Sequence, residues 1–365
     1  MIYFDNAATT SSIITPKTFY NPSSPHALGI NAERALRDAR KTIAAALSLA
    51  NRPSSSRKPT NTAPMPEEII FTSGGTESNN LAILGFALAN QRHGANLVSA
   101  PYEHPSILAP IRFAAERGWS TTHPGNATLL SISHVNHETG DINDISVIAA
   151  ETKKNNPNAV IHVDGTQGFC KELINLQEVD IYTFSGHKIH GTAGVGGIWI
   201  RKGIRLTPLL HGGGQEGGLR SGSENVTGIV QMAEAAATLS QYLSDNRTHV
   251  AKLKSILLSM RDSLPGAQEN SLTPEVSPYI LNMSFPGIKG EILVHALSEK
   301  GVYVSMGAAC NSRKRAQSSL ELMGFAPQIA ESAIRFSFSP YNTLVEAHAA
   351  RDIIIKTVKQ LQKVI

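Results

Sequence analysis

Cysteine is scarce in this chain, with only Cys170 and Cys310 in 365 residues. Two thiols cannot build the disulfide framework of a small secreted domain, and neither sits in CxxC or zinc-ligand spacing. A reducing, cytoplasmic setting follows as the expectation. Long apolar runs are also missing: Gly, Ser or charge breaks each one well before the ~20 residues of a membrane span. The start, MIYFDNAATT, has neither the basic opening nor the apolar core of a signal peptide. Charge of one sign is not in excess either. Lys and Arg number 33 against 29 Asp and Glu, spread along the chain rather than gathered into the basic stripe of a nucleic-acid binder. The densest cluster, Arg313-Lys314-Arg315, reads as a solvated loop, although positive charge this near Cys310 would also favour its thiolate.

What is present is a core-forming α/β pattern, long enough for two domains or one large unit with an annex. Residues 30–49 place Ala35, Leu36, Ala39, Ile43, Ala46 and Leu47 at helical spacing, with Glu33 and Arg37 paired on the other face. Residues 51–66 carry four prolines and little to bury, which predicts a surface loop. From residue 68, short β-rich runs (EEIIFTS, NLVSA, LLSISHV, AVIHVDG, DIYTFSG, VGGIWI) alternate with helical or turn-rich stretches. That alternation predicts a largely parallel sheet covered by helices. Residues 224–264 read as mainly helical. Beyond them YILNMSF, GVYVS and AIRFSFS alternate with helices at 290–300, 316–324 and 343–363, a smaller α/β domain.

Ligands of parallel sheets bind beyond the carboxyl ends of the strands. The polar residues collect there: Ser73-Gly74-Gly75-Thr76, His104, Asn136, Asp164 and Ser185-Gly186-His187-Lys188, each after a strand. In FTSGGTESNN a strand enters two glycines and a helix starts near Thr76, so amides and hydroxyls could meet a phosphate. In HVDGTQ an Asp ends an apolar strand, where burial demands a cation or hydrogen-bond donors. In TFSGHKIHG a lone lysine sits in a crowded turn, and lysine is the side chain that condenses with carbonyls. Each turn alone has an ordinary structural explanation. Together they supply what pyridoxal phosphate requires: an amine, an acid for the ring nitrogen and a phosphate cup.

The chain resembles the cysteine desulfurases of the NifS/IscS type, in the class V group of fold-type I pyridoxal-phosphate enzymes. YFDNAATT, NPSSPHALG, FTSGGTESNNLAI, EHPSIL, SHVNHETGDI, HVDGTQ, FSGHKIHG, HGGGQEGGLRSGSENV, YILNMSF, VSMGAACNS and IRFSFS carry the likeness nearly end to end. It implies an α/β fold whose large domain, residues 15–245, has a mainly parallel seven-stranded sheet. A smaller C-terminal α/β domain, residues 1–14 and 246–365, would carry the catalytic cysteine loop. The implied activity converts L-cysteine to L-alanine and leaves sulfane sulfur on Cys310 as a persulfide.

By the same resemblance Lys188 holds the cofactor as a Schiff base, Asp164 meets the pyridine nitrogen and Gln167 meets the ring hydroxyl. His104 stacks on the ring and helps move protons. Gly75, Thr76, Ser185, His187 and Ser223 match the phosphate ligands, Ser223 being given to a neighbouring subunit, which implies a homodimer. Asn136 and Arg335 match residues that hold the substrate carboxylate. The sulfur acceptor would be a protein such as an iron–sulfur scaffold. Cys170, beside Phe169, reads as a small buried apolar residue.

The chain also departs from the family. Gly75 and Gly165 stand in place of alanines, which is expected to loosen the cofactor site slightly. Ser223 replaces threonine, Gly217 an arginine and Thr192-Ala193 a Pro-Lys pair. The stretch between Trp119 and Ser131 is short, 51–66 is long, and the chain ends at Ile365 without the tail that scaffold proteins bind. Selenocysteine lyase activity, or that of another class V enzyme, is the nearest alternative. A metal-binding hydrolase using His134-x-x-His137 or His187-x-x-His190 is weaker, because such spacing at strand ends does not place both rings on one face. A non-catalytic sulfur-transfer scaffold is opposed by the presence of both Lys188 and Cys310.

Overall fold

The structure is a computed structural model that describes residues 1–15, 17–51, 63–92, 94–121, 126–306 and 318–363. Cys310 and the Arg313-Lys314-Arg315 cluster lie outside the described residues, as does most of the 51–66 stretch. The chain divides into two compact units. One comprises Met1–Thr10, Val135–Ile142 and Leu243–Ile365, and the other Ser11–His134 and Asn143–Tyr242.

The first unit holds β1 (Ile2–Tyr3), β8 (Gln268–Glu269), β9 (Ile280–Ser284), β10 (Val302–Tyr303) and β11 (Ala333–Ser337), numbered along the whole chain. β1 pairs with β10 in parallel, and β11, β9 and β8 form an antiparallel sheet. Its helices are α6 (Leu243–Leu258), α7 (Gly290–Ser298), α8 (Ser319–Leu322), α9 (Pro327–Glu331) and α10 (Leu344–Leu361). Leu253, Leu257, Met283, Leu297, Phe336 and Ile354 are fully buried in its core. α10 starts at Leu344 because Thr343 and Glu346 close a capping box, Thr343 N donating to Glu346 Oε2 at 2.8 Å and Glu346 N to Thr343 Oγ1 at 3.1 Å.

The second unit carries α1 (Ala27–Ala50), β2 (Ile69–Thr72), α2 (Gly75–Ala89), β3 (Leu97–Val98), α3 (Pro105–Ala115) and β4 (Leu129–Ser133). It continues with α4 (Ile145–Asn155), β5 (Val160–Asp164), β6 (Ile181–Ser185), β7 (Gly196–Ile200) and α5 (Val226–Gln241). α1 runs three residues further towards the N-terminus than its apolar spacing indicates, because the His26 ring accepts from Gly29 N and caps it. The sheet order is β2-β7-β6-β5-β4-β3. β3 to β6 run parallel, and β7 is antiparallel to both of its neighbours, so β2 points the same way as β3 to β6.

Among the described residues this sheet has six strands rather than the expected seven. At the β3 edge, among the described residues, a single parallel bridge, Asn96 to Ser120, stands beyond it. β4, β5, β6 and β7 are buried along their full length, as a sheet covered on both faces requires. The common strand direction brings the carboxyl ends of β2 to β6 to one edge.

Candidate active site

That edge collects the residues expected from sequence within the second unit. β2 runs into Ser73 and Gly74, and α2 starts at Gly75. Gly74 takes φ 154° and ψ 179°, a conformation open only to glycine, and this turns the chain sharply from strand to helix. Ser78 anchors the first turn of the helix to the sheet, donating to the Gly197 carbonyl at 3.1 Å. Ser185, ending β6, faces this turn. A Cβ built on Gly74 would lie 3.9 Å from Ser185 Oγ, and one on Gly75 3.6 Å from Ser185 Cβ. The Ser185 hydroxyl is buried and, among the described residues, has no hydrogen-bond partner.

Lys188 is half-buried at the end of the 3-10 turn Gly186–Lys188. The His187 imidazole between them is held neutral, its pKa lowered to about 4 by burial and then by the charges of Lys188 and Lys171. Asp164 ends β5 and is 6% exposed. Its Oδ2 accepts from Asn79 Nδ2 at 2.8 Å and its Oδ1 from Thr166 N at 2.9 Å. Among the described residues no cation pairs with it. Gln167, on the same turn, accepts from Lys171 Nζ at 3.4 Å, which leaves its amide NH2 as the donating end. His104 caps α3 through Nδ1, which accepts from Ser106 N at 3.1 Å.

Ser223 is exposed in the turn before α5. Asn136 and Arg335 belong to the first unit. There Asn136 Oδ1 accepts from Glu138 N and Thr139 N at 2.9 and 3.1 Å, so only its NH2 donates. Arg335 is 6% exposed, donates to the His137 carbonyl at 2.7 Å and pairs with Asp5 at 3.3 Å. Cys170 is buried, with its thiol pushed up to about 12 by burial, so it stays protonated. No group of three or more His, Cys, Asp or Glu among the described residues could hold a metal. No described helix is long and apolar enough to cross a membrane.

The aminotransferase class-V family model matches residues 2–124 and 118–349. A cysteine desulfurase IscS of Buchnera aphidicola subsp. Acyrthosiphon pisum is 34% identical over 397 residues, covering 99% of this chain and 94% of the relative. The chain belongs to the NifS/IscS cysteine desulfurase family. A NifS/IcsS protein homolog of Lactobacillus delbrueckii subsp. bulgaricus is 36% identical over 379 residues, 95% of this chain and 94% of that protein. A solved NifS-like protein covers 100% of both chains with TM-score 0.85 and 32% identity. A structure of SspA in complex with cysteine covers 94% of this chain and 100% of its own, with TM-score 0.77 and 27% identity.

Class V membership of this NifS/IscS family chain implies dependence on pyridoxal phosphate, and the residues present fit that group. A buried hydroxyl without a partner costs free energy unless an acceptor or donor arrives, and Ser185 Oγ lies beside the Gly74-Gly75 turn that opens α2. Asp164 is a buried acid with two donors and, among the described residues, no cation, which suits a protonated ring nitrogen.

One expectation is overturned. Gly165 and Gly75 do not loosen the site. A Cβ on Gly165 would overlap the Tyr182 ring, and one on Gly75 would press within 2.9 Å of Thr166 Oγ1. The space of the missing methyls is already filled.

Sequence reasoning assigned no role to Asn79, Ser106, Thr183, Tyr182, Glu103 or Lys171. Lys171 is 6% exposed. Glu103 is 2% exposed, accepts from Ser133 N at 3.0 Å, and is pushed up to about 7 by burial. The available signal was polar residues on apolar strands, Ser131 opposite His162 and Asp164 opposite Thr183. It becomes visible only with the strand order known.

Proposed function

We propose that the chain is a cysteine desulfurase that converts L-cysteine to L-alanine and carries the released sulfur on Cys310 as a persulfide. The reaction balances as the substrate thiol and the Cys310 thiol giving alanine and a Cys310 persulfide. The observation that carries the reading is the buried, unpartnered Ser185 hydroxyl against the Gly74-Gly75 turn, one strand from Asp164. Pyridoxal phosphate, when bound, supplies the electron sink that weakens the substrate's Cβ–S bond.

The chain's own residues have distinct tasks. Gly75, Thr76, Ser185 and His187 hold the phosphate, neutral His187 as a hydrogen-bonding ring rather than a charge. Asp164 holds the ring nitrogen in its protonated form, and Gln167 donates to the ring hydroxyl. Lys188 supplies the amine that binds the cofactor, and His104 stacks on the ring and moves protons. Asn136 and Arg335 orient the substrate carboxylate. Ser223, exposed before α5, is available to a second copy, so the working form is a homodimer. The second unit serves as the core of a cofactor domain over 15–245, and the remainder as the domain of the Cys310 segment. The persulfide feeds a sulfur-acceptor protein such as an iron–sulfur scaffold, in the cytoplasm, where a free thiol survives.

The test is direct. Lys188→Ala should abolish the visible absorbance of the bound cofactor. Cys310→Ala should keep that absorbance and lose sulfide release from cysteine. Sulfide release that persists in Cys310→Ala would overturn the persulfide reading.

A further inference from the structure

Asn79 lies on α2, is 1% exposed, and reaches both Asp164 and Ser106. The geometry points to Asn79 as a positioning residue that joins the ring-nitrogen acid Asp164 to the ring-stacking His104 in one hydrogen-bond chain of fixed polarity. This rests on the reading above, in which those two residues flank pyridoxal phosphate.

The polarity follows from a single backbone amide. Ser106 N can only donate, and it donates to His104 Nδ1 at 3.1 Å, so Nδ1 is an acceptor and the neutral ring carries its proton on Nε2. Ser106 Oγ lies 2.7 Å from the same Nδ1 and must donate its one proton there. It therefore accepts from Asn79 at 2.8 Å, which fixes the facing atom as Nδ2. The second Nδ2 proton goes to Asp164 Oδ2 at 2.8 Å.

On the other side Asn79 Oδ1 accepts from Thr183 Oγ1 at 2.6 Å. Thr183, its proton spent, accepts from His162 Nε2 at 3.4 Å, and His162 Nδ1 accepts from Ser131 Oγ at 2.8 Å. Ser131, His162 and Thr183 are all 0% exposed, so no water competes for these groups. A buried amide with both N–H groups and its oxygen hydrogen-bonded holds one orientation. Asn79 thus presents a donor to Asp164 at all times, which keeps that carboxylate aimed, while the same amide donates to the Ser106 hydroxyl that in turn donates to His104 Nδ1.

The experiment compares wild type with Asn79→Leu, a substitution of similar volume that lacks donor and acceptor. Cofactor affinity is measured by titrating apoprotein with pyridoxal phosphate. Ring protonation is read from the 15N shift of ring-labelled cofactor in the holoenzyme. Asn79→Leu should weaken cofactor binding by roughly tenfold or more and move the ring nitrogen towards its unprotonated shift. A variant that folds, with both readouts at wild-type values, would overturn the proposal. Asn79 would then only pack.

If Asn79→Leu does not fold, wild-type holoenzyme still decides. Histidine 15N spectra should show His104 and His162 with their protons on Nε2, and a proton on Nδ1 of either ring would overturn the chain. Wild type that binds no pyridoxal phosphate would instead overturn the functional reading on which the inference rests.

Discussion

The ring of Tyr182 occupies the space that a Cβ on Gly165 would need. Three residues further on, a Cβ on Gly168 would overlap the ring of His134, whose Nδ1 lies 3.1 Å from the Tyr182 hydroxyl. The Gly-x-x-Gly turn after Asp164 is therefore shaped around a buried His134–Tyr182 pair. Both rings are fully buried, 6.1 Å apart between centroids and edge to face. The turn that carries Asp164 and Gln167 rests on this pair.

Restoring the methyl should accordingly harm the protein. Gly165→Ala is expected to destabilise by about 1–3 kcal/mol, because overpacking a filled core forces rings off their rotamers or shifts backbone. Tyr182→Leu opens the space, so the double variant should be more stable than the sum of the singles by about 1 kcal/mol or more. Urea denaturation of the four proteins measures this. Strictly additive effects would mean that the ring and the turn do not compete for the same volume.

Ser185→Ala separates cofactor binding from folding. Among the described residues the hydroxyl has no partner, so its removal takes away an unmet polar group, and the apoprotein should be as stable as wild type or more so. Binding of pyridoxal phosphate should weaken by roughly tenfold, the worth of one hydrogen bond to a charged group. Thermal melts of the apoprotein and a cofactor titration read the two effects. Unchanged affinity would remove Ser185 from the phosphate site.

The buried titratable groups set opposite pH trends. Glu103 is raised from 4.5 to about 7 by burial, so its stabilising proton is in place below about 4.5 and that stability is lost as pH rises through 7. His134 and His162 are lowered from 6.5 to about 4, also by burial. Their contribution is in place above 6.5 and lost as pH falls through 4. Each shift corresponds to about 3 kcal/mol, so two imidazoles outweigh one carboxyl, and acidification from pH 7 to 4 costs on the order of 3 kcal/mol from these three groups. Glu103→Gln should gain about 3 kcal/mol on wild type between pH 4.5 and pH 8. A stability difference that does not vary with pH would show that Glu103 titrates normally.

The strand ends were readable because a buried parallel strand leaves a simple trace: an apolar run that stops at Gly, Ser or Asp. FTSGG, HVDGTQ and TFSGHK each announce a turn that carries chemistry, and the structure sets all three on one edge. Asn79 left no such trace. It sits between Ser78 and Asn80 in a helix, and nothing in local spacing distinguishes the asparagine that meets Asp164 from the half-buried one beside it. The same holds for Tyr182, which reads as one more strand residue until Gly165 is found beneath its ring.

By itself the sequence determined the α/β alternation, the turns at the strand ends and, through the motifs in them, the family. These depend on residue type and short-range spacing, which chain order preserves. Only the tertiary structure decided which polar groups meet: the empty valence of Ser185, the fit of Tyr182 over Gly165, and the amide of Asn79 between Asp164 and His104. Those relations join residues up to 85 positions apart along the chain. They exist because strand order and close packing, rather than local propensity, set the distances.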